Sequence, residues 1–261
     1  MIDPAAVWAV LRFQGARSMT ASRGVWFVMI ALFPPAITAL ILWSVRHAPP
    51  EEAWATLGYG LIACLSCMLG VFLWATPVLQ AEIEGKTWTY VAVRPSGPAA
   101  LLLGNYLIAV AWATTAGLIA LTLMVWLCTT EQPLRLWTAI ARLVVLSSIS
   151  YAALYLFLGV LFNRRAMLVA VVYTLLVEVM LGFLPAFINQ LTIQYRLRAL
   201  WIDGMGWASV PPGFDGPTEI FSVAPAWWHV TILLTLSAGL VVLSLAIARR
   251  RELPLGAESD F

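Results

Sequence analysis

Charge is scarce in this sequence. Asp, Glu, Lys and Arg make up 11% of its 261 residues, where a soluble domain carries about 25%. With 62% hydrophobic residues and a mean hydropathy of +0.89, too little polar surface remains to cover a water-soluble fold. Cysteine is scarce as well. Cys64, Cys67 and Cys128 are an odd number set in apolar runs, which argues against a disulfide framework and for small apolar residues. The CxxC of Cys64 and Cys67 has no second Cys pair or His cluster beside it, so no metal is expected. His47 and His229, the two histidines, have no acidic or thiol cluster in sequence around them. The basic residues fall in ones, twos and threes, which excludes a nucleic-acid surface despite the formal charge of +2.

Catalytic patterns are missing too. No Gly-rich phosphate loop, H-E-x-x-H, G-x-S-x-G or paired-carboxylate motif occurs in the chain. Gly85-Lys86-Thr87 copies the end of a P-loop, but Gln80 stands where that motif needs its first glycine, and no soluble strand precedes it. A nucleotide could drive this chain only through a partner.

What the sequence has instead is long runs without charge. A helix needs about 20 apolar residues to cross about 30 Å of hydrocarbon. Six spans meet that requirement, over about 25–45, 56–79, 99–127, 138–162, 166–188 and 227–248. The expectation is one all-α polytopic transmembrane domain covering 1–261. Lys and Arg are retained on the cytoplasmic side. Arg12, Arg17, Arg23, Lys86, Arg94, Arg164, Arg165 and the Arg249-Arg250-Arg251 stop all fall on one side of such a bundle. Only Arg46, Arg135, Arg196 and Arg198 fall clearly on the other, so both termini are expected inside, in the cytoplasmic membrane. The chain begins MIDP, and no A-x-A site follows its first apolar run; no cleavable signal peptide is expected. Pro34-Pro35 in the first span predicts a kink whose freed carbonyls need partners on neighbouring helices or water.

The connecting segments carry the remaining information. Residues 4–20, with Asp3 as N-cap and Pro4 at the first helical position, fit a helix lying in the inner interface or a juxtamembrane tail. The inner connection 80–98 combines Glu82, Glu84 and Lys86 with the apolar Trp88, Tyr90, Val91 and Val93, and stops at Arg94-Pro95. A docking helix and an interfacial loop with snorkelling aromatics both fit that composition. In the outer loop 189–226, LTIQYRLR alternates as a strand would, yet Ile193, Leu197, Leu200 and Trp201 would equally line one helix face. Either a lid over the outer mouth or a cap on the helix ends follows.

One acid lies inside the bilayer. Glu178 sits about 12 residues into the fifth span, where an acid costs about 2.5–3.5 kcal/mol on insertion scales, so it needs a proton, a partner or water. Arg142, near the outer end of the fourth span, is the expected partner, in a pair that either holds the bundle or lines a pathway.

Taken together, the spans and AEIEGKTWTYVAVRPSGPAALLLGNYL resemble the permease subunits of type-2 ATP-binding-cassette exporters. Those permeases follow their second span with an acid, a glycine-threonine step, an aromatic and an Arg-Pro-like stop. Here the matching positions are Glu82, Glu84, Gly85, Lys86, Thr87, Tyr90, Arg94 and Pro95. The resemblance implies an interfacial N-terminal helix, a dimer with a second permease copy, and a cytoplasmic ATPase docked on 82–95. ATP and Mg would be bound by that ATPase and no cofactor by this chain. Where the family often has a basic residue at the start of the third span, this chain has Asn105. The competing readings are a membrane assembly or maturation factor, and a membrane-embedded lipid enzyme.

Overall fold

The computed structural model describes residues 4–18, 20–45, 49–85, 88–94, 96–128, 130–163, 165–180, 182, 189–190, 192–207, 210–212 and 224–250. Among these residues there is helix and no strand. The first helix, α1 (Pro4–Ser18), is followed by α2 (Ala21–Ser44). A long run then comprises α3 (Glu51–Leu57), a π-helical stretch Gly58–Ser66, α4 (Cys67–Ala75) and α5 (Val78–Glu84). After the short α6 (Trp88–Ala92) come α7 (Gly97–Leu127) and α8 (Pro133–Leu161). The fifth apolar segment forms α9 (Ala166–Tyr173), continued as π-helix over Thr174–Met180. Last are α10 (Ile193–Met205) and α11 (Ala226–Arg250).

Five helical runs are long and apolar enough to cross a membrane: Ala21–Ser44, Glu51–Glu84, Gly97–Leu127, Pro133–Leu161 and Ala226–Arg250. Ala166–Met180 is shorter and apolar; most of the expected stretch 181–188 lies outside the described residues. The helices outrun the apolar windows at several ends. At about 1.5 Å per residue the 31 residues of α7 reach some 46 Å, well beyond the hydrocarbon thickness.

α8 is the hub. It packs against α4, α7, α9, α10 and α11, and 78% of its most apolar window is buried, against 28% for α2 and for α11. Small residues let its neighbours close in, as expected where packing rather than water drives association. A Cβ on Gly159 would stand 2.5 Å from the Thr76 carbonyl oxygen, and one on Gly117 would stand 2.8 Å from Val144. The apolar faces turned outward, such as Leu168, Leu175 and Met180 on the fifth segment and Val242 on α11, suit a lipid solvent.

Pro34 and Pro35 lie inside a continuous α2. Pro34 has no N–H for the Ile30 carbonyl. The Ser66 hydroxyl, on the π-helical stretch packed alongside, donates to that oxygen at 3.5 Å. The segment whose period left strand and helix open is the helix α10. Ile193, Leu197, Leu200 and Trp201 are all buried in it, because they pack on α8 and α11 rather than in a sheet.

Candidate functional site

Two polar groupings stand out in this apolar bundle, one at the end where α1 lies and one toward α10. At the first, α5 and α6 form the turn between the second and third apolar helices. Trp88 is buried with Val78, Leu79, Leu102, Leu156 and Leu245 in a small core of its own. Because Trp88 points inward, the opposite side of α6 is left free: Tyr90 is 78% and Val93 80% exposed. Arg94 and Glu84 are exposed too, and Glu84 accepts a hydrogen bond from Gln80 at 2.8 Å. Gly85 is an exposed turn residue. Lys86, Thr87 and Pro95 lie outside the described residues.

Glu82 departs from its exposed neighbours. It is buried, accepts from Gln14 Nε2 of α1 at 3.4 Å, and lines a crevice of about 50 Å³ with Arg23 and Asn105. The carboxylate therefore ties α5 to α1, while Asn105 turns its amide back onto the Leu101 carbonyl. α1 itself lies against α7, where Gly104 leaves room for Val10.

The second grouping is built around Glu178, which is 2% exposed. Its Oε2 accepts from the Tyr151 hydroxyl at 3.0 Å and from the Gln194 backbone N–H at 3.1 Å; its Oε1 faces the Ile193 N–H at 3.4 Å. The Tyr173 hydroxyl is a further contact. A helix start leaves four N–H groups without intrahelical partners, and it attracts negative charge. Glu178 meets both needs at the start of α10, and Thr192 adds the N-cap by accepting from the Tyr195 N–H at 3.2 Å. At the other end, Gly206 adopts the left-handed conformation at φ 66° that closes the helix. There the Arg135 guanidinium donates to the Met205 carbonyl. A carboxyl group that accepts N–H groups at its start and a cation at its end thus suit the polarity of the two ends of α10.

The expected pairing of Glu178 with Arg142 is not formed. Arg142 Nη2 lies beside Gly204, about 16 Å along α10 from the residues that Glu178 contacts. The error is one of depth. On α8 it is Tyr151, nine residues beyond Arg142 in the sequence, that meets Glu178. The cation that shares this network is Arg198, which is 5% exposed. It donates to the Gly182 carbonyl at 3.1 Å and stands beside the Tyr59 hydroxyl. Tyr59 donates to Gln194 Oε1 at 2.9 Å, and the Cys64 thiol faces the same oxygen at 3.1 Å.

Sequence reasoning missed Tyr59, Gln194, Arg198 and Tyr151. The signal that could have found two of them is the spacing of Gln194 and Arg198, four apart and so on one face of a helix. Both π-helical stretches border this network, Tyr59 and Cys64 coming from one and Glu178 from the other; π-bulges recur at functional sites.

His229 Nδ1 contacts Arg196 at 3.3 Å; His47 lies outside the described residues. Past the end of α7, burial pushes the Cys128 thiol up to about 12, so it stays a thiol at neutral pH. Among the described residues no three His, Cys, Asp or Glu side chains are placed to hold a metal. No protein-family model and no curated protein sequence matches the chain.

Proposed function

We propose that this chain is the membrane-spanning permease subunit of a type-2 ATP-binding-cassette exporter. It crosses the cytoplasmic membrane six times with both termini inside, and it works as a dimer with a second permease copy. A separate cytoplasmic ATPase binds ATP and Mg and docks on α6. The observation that carries this reading is the attachment of α6. Trp88 is buried among residues near the ends of α7 and α8, while Tyr90, Val93 and Arg94 are exposed.

That attachment gives the ATPase a handle. A push on the outer face of α6 is passed by Trp88 to Leu102 of α7 and Leu156 of α8. Glu82 links the same turn to α1 through Gln14, so α1, α5 and α6 move as one piece. Packed helices shift as rigid bodies, and α8 carries the displacement along its length to Tyr151, Glu178 and the start of α10. α10 is shorter than a span, packs its buried apolar face on α8 and α11, and is held at both ends by polar contacts. In this reading it is the element whose position distinguishes inward-open from outward-open states, and Glu178 acts as its anchor.

The experiment is purification of the tagged chain from its own membranes in mild detergent, with identification of copurifying proteins and an ATPase assay. A stoichiometric ATP-binding-cassette ATPase that is lost on Tyr90→Glu with Val93→Glu supports the assignment. Recovery of an intact chain with no ATPase moves the weight to an assembly factor or a membrane-embedded enzyme.

A further inference from the structure

A second feature of the α6 end shares Tyr90 and Arg94 with the docking face. Between α1, α6 and the start of α7 lies a cleft of about 330 Å³, within the roughly 300–1,000 Å³ of small-molecule sites. Ala6, Ala9, Val10 and Phe13 form its wall on α1, spaced as one helix face. Gly97 and Ala100 form a floor of small residues on α7. Phe13 and Tyr90 at the mouth are 66% and 78% exposed.

The cleft is mostly apolar, with the hydroxyls of Tyr90 and Ser96 and one charged side chain among its lining. Arg94 lines it, is exposed, and makes no ion pair among the described residues. The acids of the same loop are engaged elsewhere, Glu84 with Gln80 and Glu82 in the crevice that holds Gln14. A slim, mostly apolar slot whose one charged lining residue among those described is Arg94, at the end of a bundle of apolar helices, matches an amphiphile with one chain and a negative head. Juxtamembrane basic residues attract anionic lipid headgroups.

We propose that this cleft holds one acyl chain of an anionic phospholipid whose headgroup is bound by Arg94. The lipid would wedge α1 against α6 and stiffen the turn between α5 and α7. The inference rests on the membrane-spanning reading of the helices and not on the exporter assignment.

The test is native mass spectrometry of the full chain in nonionic detergent, titrated separately with dioleoyl phosphatidylglycerol and dioleoyl phosphatidylcholine. The expected result is one retained phosphatidylglycerol per chain, at least fivefold above phosphatidylcholine. Ala9→Phe, which fills the slot, should abolish retention of both lipids with helix content unchanged. Arg94→Gln, at an exposed position, should bring the two lipids within twofold of each other, and it decides the matter if Ala9→Phe does not fold. Equal retention of both lipids by the unsubstituted chain overturns the proposal. So does a folded Ala9→Phe that still retains lipid, or one that keeps the lipid but loses a copurifying ATPase, which would make the cleft a protein seat.

Discussion

Glu178 Oε2 accepts the backbone N–H of Gln194 at 3.1 Å, so the acid within the apolar bundle finds its hydrogen-bond partner at the start of a helix rather than in a basic side chain. Replacing the carboxylate leaves buried N–H groups without their acceptor, a loss of about 1–3 kcal/mol and more where charge is involved. Glu178→Ala should therefore lower the midpoint of thermal unfolding in detergent clearly, with Glu178→Gln intermediate because its carbonyl oxygen still accepts one N–H. Equal midpoints for all three proteins would show that the anchor contributes nothing.

Tyr151 reaches the same oxygen from α8. Tyr151→Phe alone should cost about 1 kcal/mol, the usual net worth of one hydrogen bond. Combined with Glu178→Gln, the two losses should not add, because groups in one network couple by about 0.5–3 kcal/mol. Additive losses in that cycle would mean that the two side chains do not communicate.

Gly159 and Gly239 make a matched pair. A Cβ on Gly159 would press on the Thr76 carbonyl, whereas one on Gly239 meets nothing within 4 Å. Gly159→Ala should destabilise by about 1–3 kcal/mol through overpacking. Gly239→Ala, in the middle of α11, should be neutral or stabilising by up to about 1 kcal/mol from helix propensity. Thermal unfolding of both variants in one detergent checks the contrast.

Trp88 and Tyr90 separate stability from docking. Trp88→Ala empties a buried site and should cost about 3–5 kcal/mol. Tyr90→Ala, at an exposed site, should stay within about 0.5 kcal/mol of the unsubstituted chain while reducing ATPase copurification. A Tyr90→Ala protein that retains full copurification argues against α6 as the docking element.

Much of this architecture was legible in the sequence for a simple reason. A charge-free run of span length has few alternatives to a helix in lipid, and Pro34-Pro35 announced a need for a neighbouring donor that Ser66 meets. α10 was less legible because LTIQYRLR satisfies two periods at once, and only packing on α8 and α11 selects the helical one. The partner of Glu178 was not legible at all. Backbone N–H groups at a helix start carry no residue signature, so the sequence pointed to the basic Arg142 instead. Nor could sequence spacing give the depth of Glu178 along α8, since that depends on how the neighbouring helices stagger. At the α6 end the residue types were readable but their directions were not. Trp88 and Tyr90 look alike in sequence, yet one anchors the turn and the other projects from it.

The most direct test of the central claim is site-specific crosslinking from Val93, the most exposed apolar residue of the α6 turn. Val93→Cys in intact membranes, treated with a short bifunctional maleimide and followed by mass spectrometry, should yield one dominant product. The account predicts a crosslink to an ATP-binding-cassette ATPase, with no labelling by an impermeant maleimide added outside the cell. Labelling of Val93→Cys from outside, or a chain that crosslinks to no ATPase while remaining folded, would contradict it.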